Sequence, residues 1–300
     1  MIVSFGSINL DLIFRVRELP APGQTLLAQA ARIEAGGKGA NQAHAAARDG
    51  ARVVMAGAVG RDALADTALA GLLTAGVDVS RVARLSGELT GCATIGVDDA
   101  GRNFIMVAAG ANRLARAAQV EDALLTPANT LLLQMETDPG EIASLILRAS
   151  RRGTRIVLNL APAAELERDI LERVDLLVLN QDEAAWLSGR LGVDGDAETL
   201  QRTLKIGVVR TLGGEGVEAA AGGVVRRIPA WRLQLVDSTG AGDCFTGVLA
   251  AALDRGTDLG QALARANAAA ALACSRPGSQ RSAPQGAETD DFLAARGIRH

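Results

Sequence analysis

The chain alternates between short apolar runs and longer amphipathic stretches over most of its length. The apolar runs are rich in leucine or β-branched residues and end in a glycine, an asparagine or a carboxylate, which is typical of buried strands. These predicted strands cover residues 52–60, 129–136, 154–162, 174–181 and 205–213. The helical stretches that alternate with them cover residues 38–50, 65–76, 140–153, 182–192 and 259–274. Apolar strands separated by helices predict an α/β fold with a doubly wound, mostly parallel sheet and helices on both faces.

Two segments depart from this alternation. Residues 9–35 and 90–109 have the pattern of β-hairpins, and the second turns at "DDAG" over residues 98–101. We expect these inserted segments to form a small β-sheet that stands off the main body. Apolar alternation such as "LIF" and "FIMV" would leave one face uncovered, which is typical of a protein contact. The pattern predicts a single domain over residues 1–300, with a β lid that closes over a site and pairs with its equivalent in a homodimer.

Composition limits the class of protein. Hydrophobic residues make up 48% of the chain and charged residues 22%, which is typical of a globular protein. The net charge of −3 gives no reason to expect a nucleic-acid partner. No apolar run reaches the roughly 18 residues of a membrane helix, and the start "MIVSFGS" lacks the features of a signal peptide. We therefore expect a cytoplasmic protein without membrane contact.

Cysteines and histidines are too few for several common kinds of site. Cys92, Cys244 and Cys274 are scattered and form no CxxC pair, which argues against a disulfide framework or a zinc site. His44 and His300 are the only histidines. Any acid–base chemistry is therefore expected to fall to carboxylates.

The stretch "DSTGAGDCFTG" over residues 237–247 places three small residues directly before an aspartate. Apolar residues then recur with the helical period, so Asp243 is expected at the mouth of a buried helix. Asp243 is either a helix N-cap behind a tight glycine turn or a functional carboxylate. The segment alone leaves both interpretations open.

A second glycine-rich stretch, "EAGGKGANQA" over residues 34–43, also opens a predicted helix. It is not a P-loop, because Gly39 follows the lysine where Ser or Thr is required. Nor does the first strand carry the dinucleotide fingerprint, since Gly6 stands there alone. A glycine turn before a helix still exposes N–H groups, and Asn41 adds an amide that can bind hydroxyls. A turn that merely needs positive φ is the structural alternative.

Polar side chains also follow several predicted strands. Asn9 and Asp11 lie on the same side of an extended segment, and Glu136 ends another strand at the edge where open α/β sheets bind ligands. Asn180 and Glu183 face one way if a helix begins there, although they also match a capping box. The "TLGGEG" turn over 211–216 has room for a phosphate or an adenine.

Together these motifs resemble those of the ribokinase-like carbohydrate kinases, the PfkB family. The resemblance rests on "SINLD", "GGKGANQA", "LNQDE", "TLGGEG" and "DSTGAGD", and it covers the whole chain. "GAGD" with its flanks is highly specific to that family. Asp243 would be the base that takes the proton from a sugar hydroxyl. The N–H groups of Gly240, Ala241 and Gly242 would form an anion hole at the positive end of a helix.

The resemblance also implies the binding residues. The sugar would contact Asn9, Asp11, Gly37, Lys38, Gly39, Asn41, Glu136 and Asp243. The nucleotide would contact Asn180, Thr211, Leu212, Gly213, Gly214, Gly216, Gly242 and Asn267. Glu183 would hold Mg²⁺ through water. A monovalent cation, K⁺, would bind at Asp237, Thr239, Ala273, Arg276, Gly278 and Ser282.

The implied reaction is ATP-dependent phosphorylation of a sugar hydroxyl, with ribose as the expected substrate. Another furanose, a nucleoside or a keto sugar is the alternative, although aromatic residues at 2% of the chain count against a platform for a nucleobase. Two other classes of protein fit the sequence less well. The missing GxGxxG argues against a dinucleotide-binding oxidoreductase, and the intact Asp243 argues against a non-catalytic sugar sensor.

Two features depart from the family pattern. Arg210 occupies a strand position that is usually apolar, and the segment over residues 192–205 is short. Both bear on the geometry of the nucleotide site.

Overall fold

The computed structural model describes residues 1–100 and 102–298, which form two β-sheets and the helices around them. The strands are β1 Ile2–Phe5, β2 Asn9–Arg15, β3 Ala30–Gly36, β4 Val53–Gly60, β5 Asp78–Leu85, β6 Gly91–Val97, β7 Asn103–Ala108, β8 Thr130–Leu133, β9 Arg155–Asn159, β10 Leu176–Leu179, β11 Gly207–Thr211, β12 Val217–Ala221 and β13 Val224–Ile228. The α-helices are α1 Lys38–Arg48, α2 Ala63–Thr74, α3 Pro139–Arg151, α4 Arg168–Leu171, α5 Gln181–Leu191, α6 Ala197–Leu204, α7 Ala241–Asp254, α8 Leu259–Cys274 and α9 Gly286–Ala294.

The larger sheet has nine strands in the order β13-β12-β11-β10-β9-β8-β1-β4-β5. Every neighbouring pair from β11 to β5 is parallel, and only β12 and β13 are antiparallel. Successive residues of a strand face opposite sides of the sheet. Ile2 therefore belongs to the core under α1, α2, α7 and α8, and Val3 to the core under α3, α5 and α6. The predicted doubly wound α/β fold is confirmed.

The two predicted hairpins form one four-stranded sheet in the order β3-β2-β6-β7. β2 pairs antiparallel with β3, β6 pairs antiparallel with β7, and the parallel pairing of β2 with β6 joins the hairpins. The hairpin prediction is confirmed, while Gly101 of the predicted turn, like His300, lies outside the described residues. We call this four-stranded sheet the lid sheet.

The β12–β13 hairpin at the edge of the main sheet was not predicted from the sequence. Its turn is made by Gly222 and Gly223, whose φ values of 57° and 78° are those that a two-residue hairpin turn requires. The Gly-Gly pair between two apolar runs was the available signal. No helix among the described residues is long and apolar enough to cross a membrane.

Candidate active site

The candidate site lies at the carboxyl ends of the parallel strands, where ligands of open α/β sheets bind. The ends of β9, β10 and β11 meet the first turn of α7 there. Residues from four of the five motifs line one cavity of about 220 Å³, among them Lys38, Asn180, Thr211 and Asp243. The fold thus brings together side chains that are far apart in the sequence.

Asp243 occupies the first turn of α7 rather than its N-cap, so the N-cap interpretation is wrong. The helix begins at Ala241, two residues before Asp243, with Gly240 at the N-cap. Gly240 has φ 74°, a left-handed conformation that the absence of a Cβ makes accessible, and this turns the chain directly into the helix. The carboxylate is 8% exposed. A buried carboxylate that caps nothing calls for a different explanation.

Both oxygens of Asp243 accept hydrogen bonds from amides of α1. Asn41 Nδ2 donates to Oδ2 at 3.0 Å, and Gln42 Nε2 donates to Oδ1 at 2.9 Å. The "GANQA" and "GAGD" motifs therefore meet side chain to side chain. Two amide donors orient the carboxylate and compensate for its burial.

The first turn of α7 supplies backbone donors beside this carboxylate. The first N–H groups of a helix have no partner within the helix, and the helix dipole makes this end positive. Ala241 N already donates to Ser238 O at 3.2 Å, so it is engaged in the preceding turn. A Cβ on Gly242 would meet nothing within 4 Å, which leaves open space for an anion above that residue.

The predicted sugar-binding side chains gather on the lid side of Asp243. Asn9 and Asp11 are buried on β2, and Asn112 Nδ2 donates to Asn9 Oδ1 at 2.7 Å. Glu136 Oε2 accepts from Ser7 Oγ at 2.5 Å and from the N–H of Lys38 at 3.1 Å. The Asn112 and Ser7 contacts were not predicted, although Ser7 belongs to the "SINLD" motif.

The glycine turn before α1 is required by close approach. Gly37 has φ 86°, and a Cβ on it would lie 2.8 Å from the backbone nitrogen of Asn9. A Cβ on Gly39 would lie 2.6 Å from the carbonyl carbon of Gly6. The structural and the functional interpretations of this turn are therefore compatible, since the same glycines that fit the turn also bring Asn41 to Asp243.

The charges of three other carboxylates act on Asp11. Burial raises the pKa of Asp11 to about 7, and the negative charges of Glu136, Glu34 and Asp243 add to the effect. Lys38 compensates them: the charge of Asp243 raises the pKa of Lys38 against the opposing effect of burial. The side chain of Lys38, which lines the cavity at α7, thus supplies a positive charge there.

A second cavity, of about 360 Å³, adjoins the first through Thr211, Ala241 and Gly242. Its further lining includes the predicted Gly213, Gly214, Gly216 and Asn267. Leu212 closes the glycine turn by donating its N–H to Gly216 O at 2.8 Å. Trp231 and Phe245 add aromatic surface, which suits a flat heterocycle. Trp231 lies in an irregular segment beyond β13, where the sequence carried no motif.

Asn180 and Glu183 form the capping box that was the structural alternative. Glu183 Oε2 accepts from Asn180 N at 2.7 Å, and Asn180 Oδ1 accepts from Glu183 N at 2.8 Å. Both residues nevertheless line the cavity at α7, and burial raises the pKa of Glu183. Across the described part of the chain, no group of three or more His, Cys, Asp or Glu side chains could hold a metal ion.

The segments expected to bind a monovalent cation also meet. Cys274 O accepts from Val236 N at 2.9 Å and from Asp237 N at 3.2 Å, which ties the loop before α7 to the end of α8. The Asp237 carboxylate accepts from Thr239 N at 2.9 Å and from Gly278 N at 3.0 Å. The other predicted ligands are Ala273 and Ser282, both buried, and Arg276, whose side chain bonds Glu288 Oε1 at 2.5 Å.

Arg210 has a structural explanation. Its guanidinium donates to Glu218 Oε2 at 2.9 Å and to Gly195 O at 3.0 Å. Glu218 is almost fully buried on β12, so the arginine neutralises a buried carboxylate and holds the short 192–205 segment. Arg210 is absent from the lining of both cavities, and its charge is engaged away from them.

Comparison with known proteins agrees with this geometry. Residues 1–286 match the model of the pfkB family of carbohydrate kinases, and the chain belongs to that family. It is 34% identical over 295 residues to a ribokinase from Haemophilus influenzae, with 96% of each chain covered. It is 30% identical over 302 residues to a deoxyribokinase from Salmonella typhimurium, with 98% of each covered. A ribokinase structure from Arabidopsis thaliana, complexed with ribose and ATP, superposes with a TM-score of 0.88 at 27% identity over 97% of this chain and 98% of that one.

The chain is therefore an ATP-dependent sugar kinase, as its motifs predicted. Membership of this family rules out the dinucleotide-binding oxidoreductase that the strand pattern left open.

Proposed function

We propose that this protein transfers the γ-phosphoryl group of ATP to the 5-hydroxyl of ribose. The observation that carries the proposal is the position of Asp243. Its carboxylate is on the first turn of α7, where it lines the cavity, accepts from Asn41 of α1 and acts by its charge on Asp11 of β2. A hydroxyl on one side and a phosphoryl group on the other would both be within its reach.

The sugar would be recognised by side chains that suit adjacent hydroxyls. Asn9 can donate and accept, while Asp11 and Glu136 accept when ionised. Asn9 and Asp11 are buried, and the charges of Glu136 and Asp243 both act on Asp11. Buried acceptors left without a hydroxyl would be costly, so a sugar that lacks one of the expected hydroxyls should be a poorer substrate.

In the reaction, Asp243 accepts the proton of the sugar hydroxyl as that oxygen attacks the γ-phosphorus. The bond between the γ-phosphorus and the β,γ-bridging oxygen breaks, and ADP leaves. Lys38 and the N–H groups of the first turn of α7 stabilise the charge on the transferring group. These fixed charges and dipoles need not reorganise during the transfer.

The nucleotide would lie along the two adjoining cavities. Trp231 and Asn267 would contact the adenine, and the glycine turn after β11 would lie against the phosphates. Mg²⁺ would supply charge neutralisation on the phosphates. Glu183 fits such an ion, because a single carboxylate that lines the cavity suits a cation that keeps most of its waters.

We also propose that K⁺ binds beside α7, at Asp237 and the carbonyl-rich loop before Ser282. The donor set fits a monovalent cation, since the carboxylate is held by backbone N–H groups with lone pairs to spare. Arg32 Nη2 of the lid sheet also donates to Asp237, at 3.2 Å. Arg32 would share this carboxylate with the cation.

The lid sheet is further proposed to join two copies of the chain. On the face of the sheet opposite Asp11, Leu12 pairs with Ile33 of β3 and with Thr94 of β6. Thr94 in turn pairs with Met106 of β7, so these four neighbouring side chains form a row with three apolar members. Ile33 is 61% exposed and Met106 is 56% exposed. A second copy would cover this surface. Because its co-substrate is ATP, we place the enzyme in the cytoplasm.

The substrate is tested with a coupled assay of ADP release over ribose, 2-deoxyribose, fructose and inosine. We expect the highest kcat/KM for ribose, with 2-deoxyribose lower by at least about tenfold because one hydrogen-bonded hydroxyl is lost. A higher kcat/KM for inosine or fructose would replace ribose as the substrate. ADP release that does not depend on any sugar would refute the proposal.

A further inference from the structure

Gln42 is a buried polar side chain whose role the sugar and nucleotide sites leave unexplained. It lies on α1 next to Asn41 and is completely inaccessible to solvent. Its Nε2 donates to Asp243 Oδ1 and to Asn159 Oδ1, both at 2.9 Å. Its Oε1 accepts from Gln134 Nε2 at 2.7 Å. Both N–H groups and the carbonyl of this amide are therefore used.

The orientation of the Gln42 amide is fixed from two directions. Gln134, just beyond β8, donates to the Gln42 carbonyl, so the Gln42 NH₂ group must face the other way. Asn159 is itself oriented, because its Nδ2 donates to Val178 O at 3.0 Å and its carbonyl is left to face Gln42. Gln134, just beyond β8, and Asn159, on β9, thus direct one donor of Gln42 at Asp243.

Asn41 differs from Gln42 although both donate to Asp243. Asn41 is partly exposed, and its Oδ1 accepts from Gln280 Nε2 at 3.1 Å. A sugar hydroxyl in the cleft can compete for the Asn41 amide, and Oδ2 is then free to face the ligand. Gln42 has no access to the cleft, so Oδ1 stays occupied. The two oxygens of Asp243 are therefore not equivalent.

We propose that Gln42 is a positioning residue, which fixes Oδ1 of Asp243 and leaves Oδ2 as the atom that takes the proton from the sugar. This inference rests on the proposed function, because it assigns the base to Asp243. A neutral amide suits this role, because it supports the ionised carboxylate without adding a charge to a group that already contains Asp11, Glu136 and Lys38. The carboxylate is then already oriented when the hydroxyl arrives.

The test replaces Gln42 by methionine, which has similar length and no donor. We expect kcat to fall by about 10- to 100-fold, the effect of losing one hydrogen bond to a charged group. KM for the sugar and for ATP should change by no more than about twofold, since Gln42 contacts neither. Thr130→Val is the matched control: Thr130 is also fully buried, and its Oγ1 donates to Asp254 Oδ1 at 2.9 Å at the opposite end of β8. It should lose comparable stability and keep kcat within about twofold.

A double-mutant cycle separates positioning from a general loss of structure. In an Asp243→Asn background, Gln42→Met should lower kcat by less than about twofold, because the group it positions is no longer a base. An equal loss in both backgrounds would assign Gln42 a purely structural role. If Gln42→Met does not fold, Gln42→Asn, which withdraws the amide by one methylene, carries the same expectations.

The outcomes distinguish the inference from the function on which it rests. If Asp243→Asn is inactive while Gln42→Met keeps wild-type kcat, the positioning role is overturned and the proposed function stands. If Asp243→Asn itself keeps more than about a tenth of the turnover, Asp243 is not the base and the positioning role fails with it. The proposed function itself is refuted only by ADP release that does not depend on any sugar.

Discussion

Asp243→Asn is the substitution that tests the assignment of the base most directly. In the structure the carboxylate accepts from Gln42 at Oδ1 and from Asn41 at Oδ2. An asparagine can keep its carbonyl toward the buried Gln42, which leaves its NH₂ group facing the amide of Asn41. One hydrogen bond is therefore lost, which costs about 1 kcal/mol of unfolding free energy, and the variant should fold.

The effect on catalysis should be far larger than the effect on stability. The amide cannot accept a proton, and general-base catalysis contributes about 10²- to 10⁴-fold. We therefore expect kcat to fall by at least about 100-fold, equivalent to about 3 kcal/mol of transition-state stabilisation. Nucleotide affinity should change little, because Trp231 and the glycine turn are untouched.

Steady-state ADP release measures kcat, and tryptophan fluorescence measures nucleotide binding. Trp186 and Trp231 are the only tryptophans, and there is no tyrosine. A Trp186→Phe background therefore leaves Trp231, which lines the proposed adenine cavity, as the reporter. A folded Asp243→Asn variant that binds nucleotide normally and keeps more than about a tenth of wild-type turnover would contradict the assignment.

Four further predictions concern other parts of the molecule. The pKa of Asp11 is raised from 3.8 to about 7, so the folded state binds the proton of Asp11 more tightly than the unfolded state does. The resulting stabilisation is lost as pH rises from about 4 to 7, and Asp11→Asn should flatten the fall of Tm over that range. Gly240→Ala should lower kcat at least about tenfold, since φ 74° is strained for alanine and its Cβ would lie 3.0 Å from Ser279 Cβ. Sedimentation equilibrium should show the wild type as the proposed dimer and Met106→Glu as a monomer, because a charge would be buried in the apolar contact. Replacing K⁺ by tetramethylammonium should lower the rate at saturating ATP and lower the Tm, because binding to the folded state stabilises it.

Each of these has an outcome that would count against it. Parallel pH profiles of Tm for the wild type and Asp11→Asn would mean that Asp11 does not hold its proton. Gly50→Ala is the control for Gly240→Ala, since Gly50 has φ 90° with nothing within 4 Å of a Cβ; an equal loss of kcat in both variants would refute the anion-hole assignment. A wild-type monomer at micromolar concentration would remove the dimer, and an unchanged rate and Tm without K⁺ would make its loop purely structural.

The architecture was accessible from the sequence because hydrophobic periodicity is local. Apolar residues at every second position indicate a strand, and apolar residues at every third or fourth position indicate a helix. Apolar strands separated by helices then indicate a parallel sheet. The motifs were accessible for a similar reason: "GGKGANQA" and "GAGD" are short runs whose resemblance to a family needs no knowledge of distance. The N-cap of α7 lies at Gly240, before Asp243, and was missed because Gly240 turns the chain through its backbone conformation and offers no side-chain signal.

Only the tertiary structure decided which polar residues work together. Gln42 belongs to the "GGKGANQA" motif on α1, but nothing in the local sequence shows that it meets Gln134, just beyond β8, and Asn159, on β9. The parallel strands end at the same edge of the sheet, so the residues after them lie close to α7. The polar side chains there are buried and cannot hydrogen-bond to water. A buried amide must then find a protein partner, and this requirement of burial joins Gln42 to Asp243 across 201 positions of the chain.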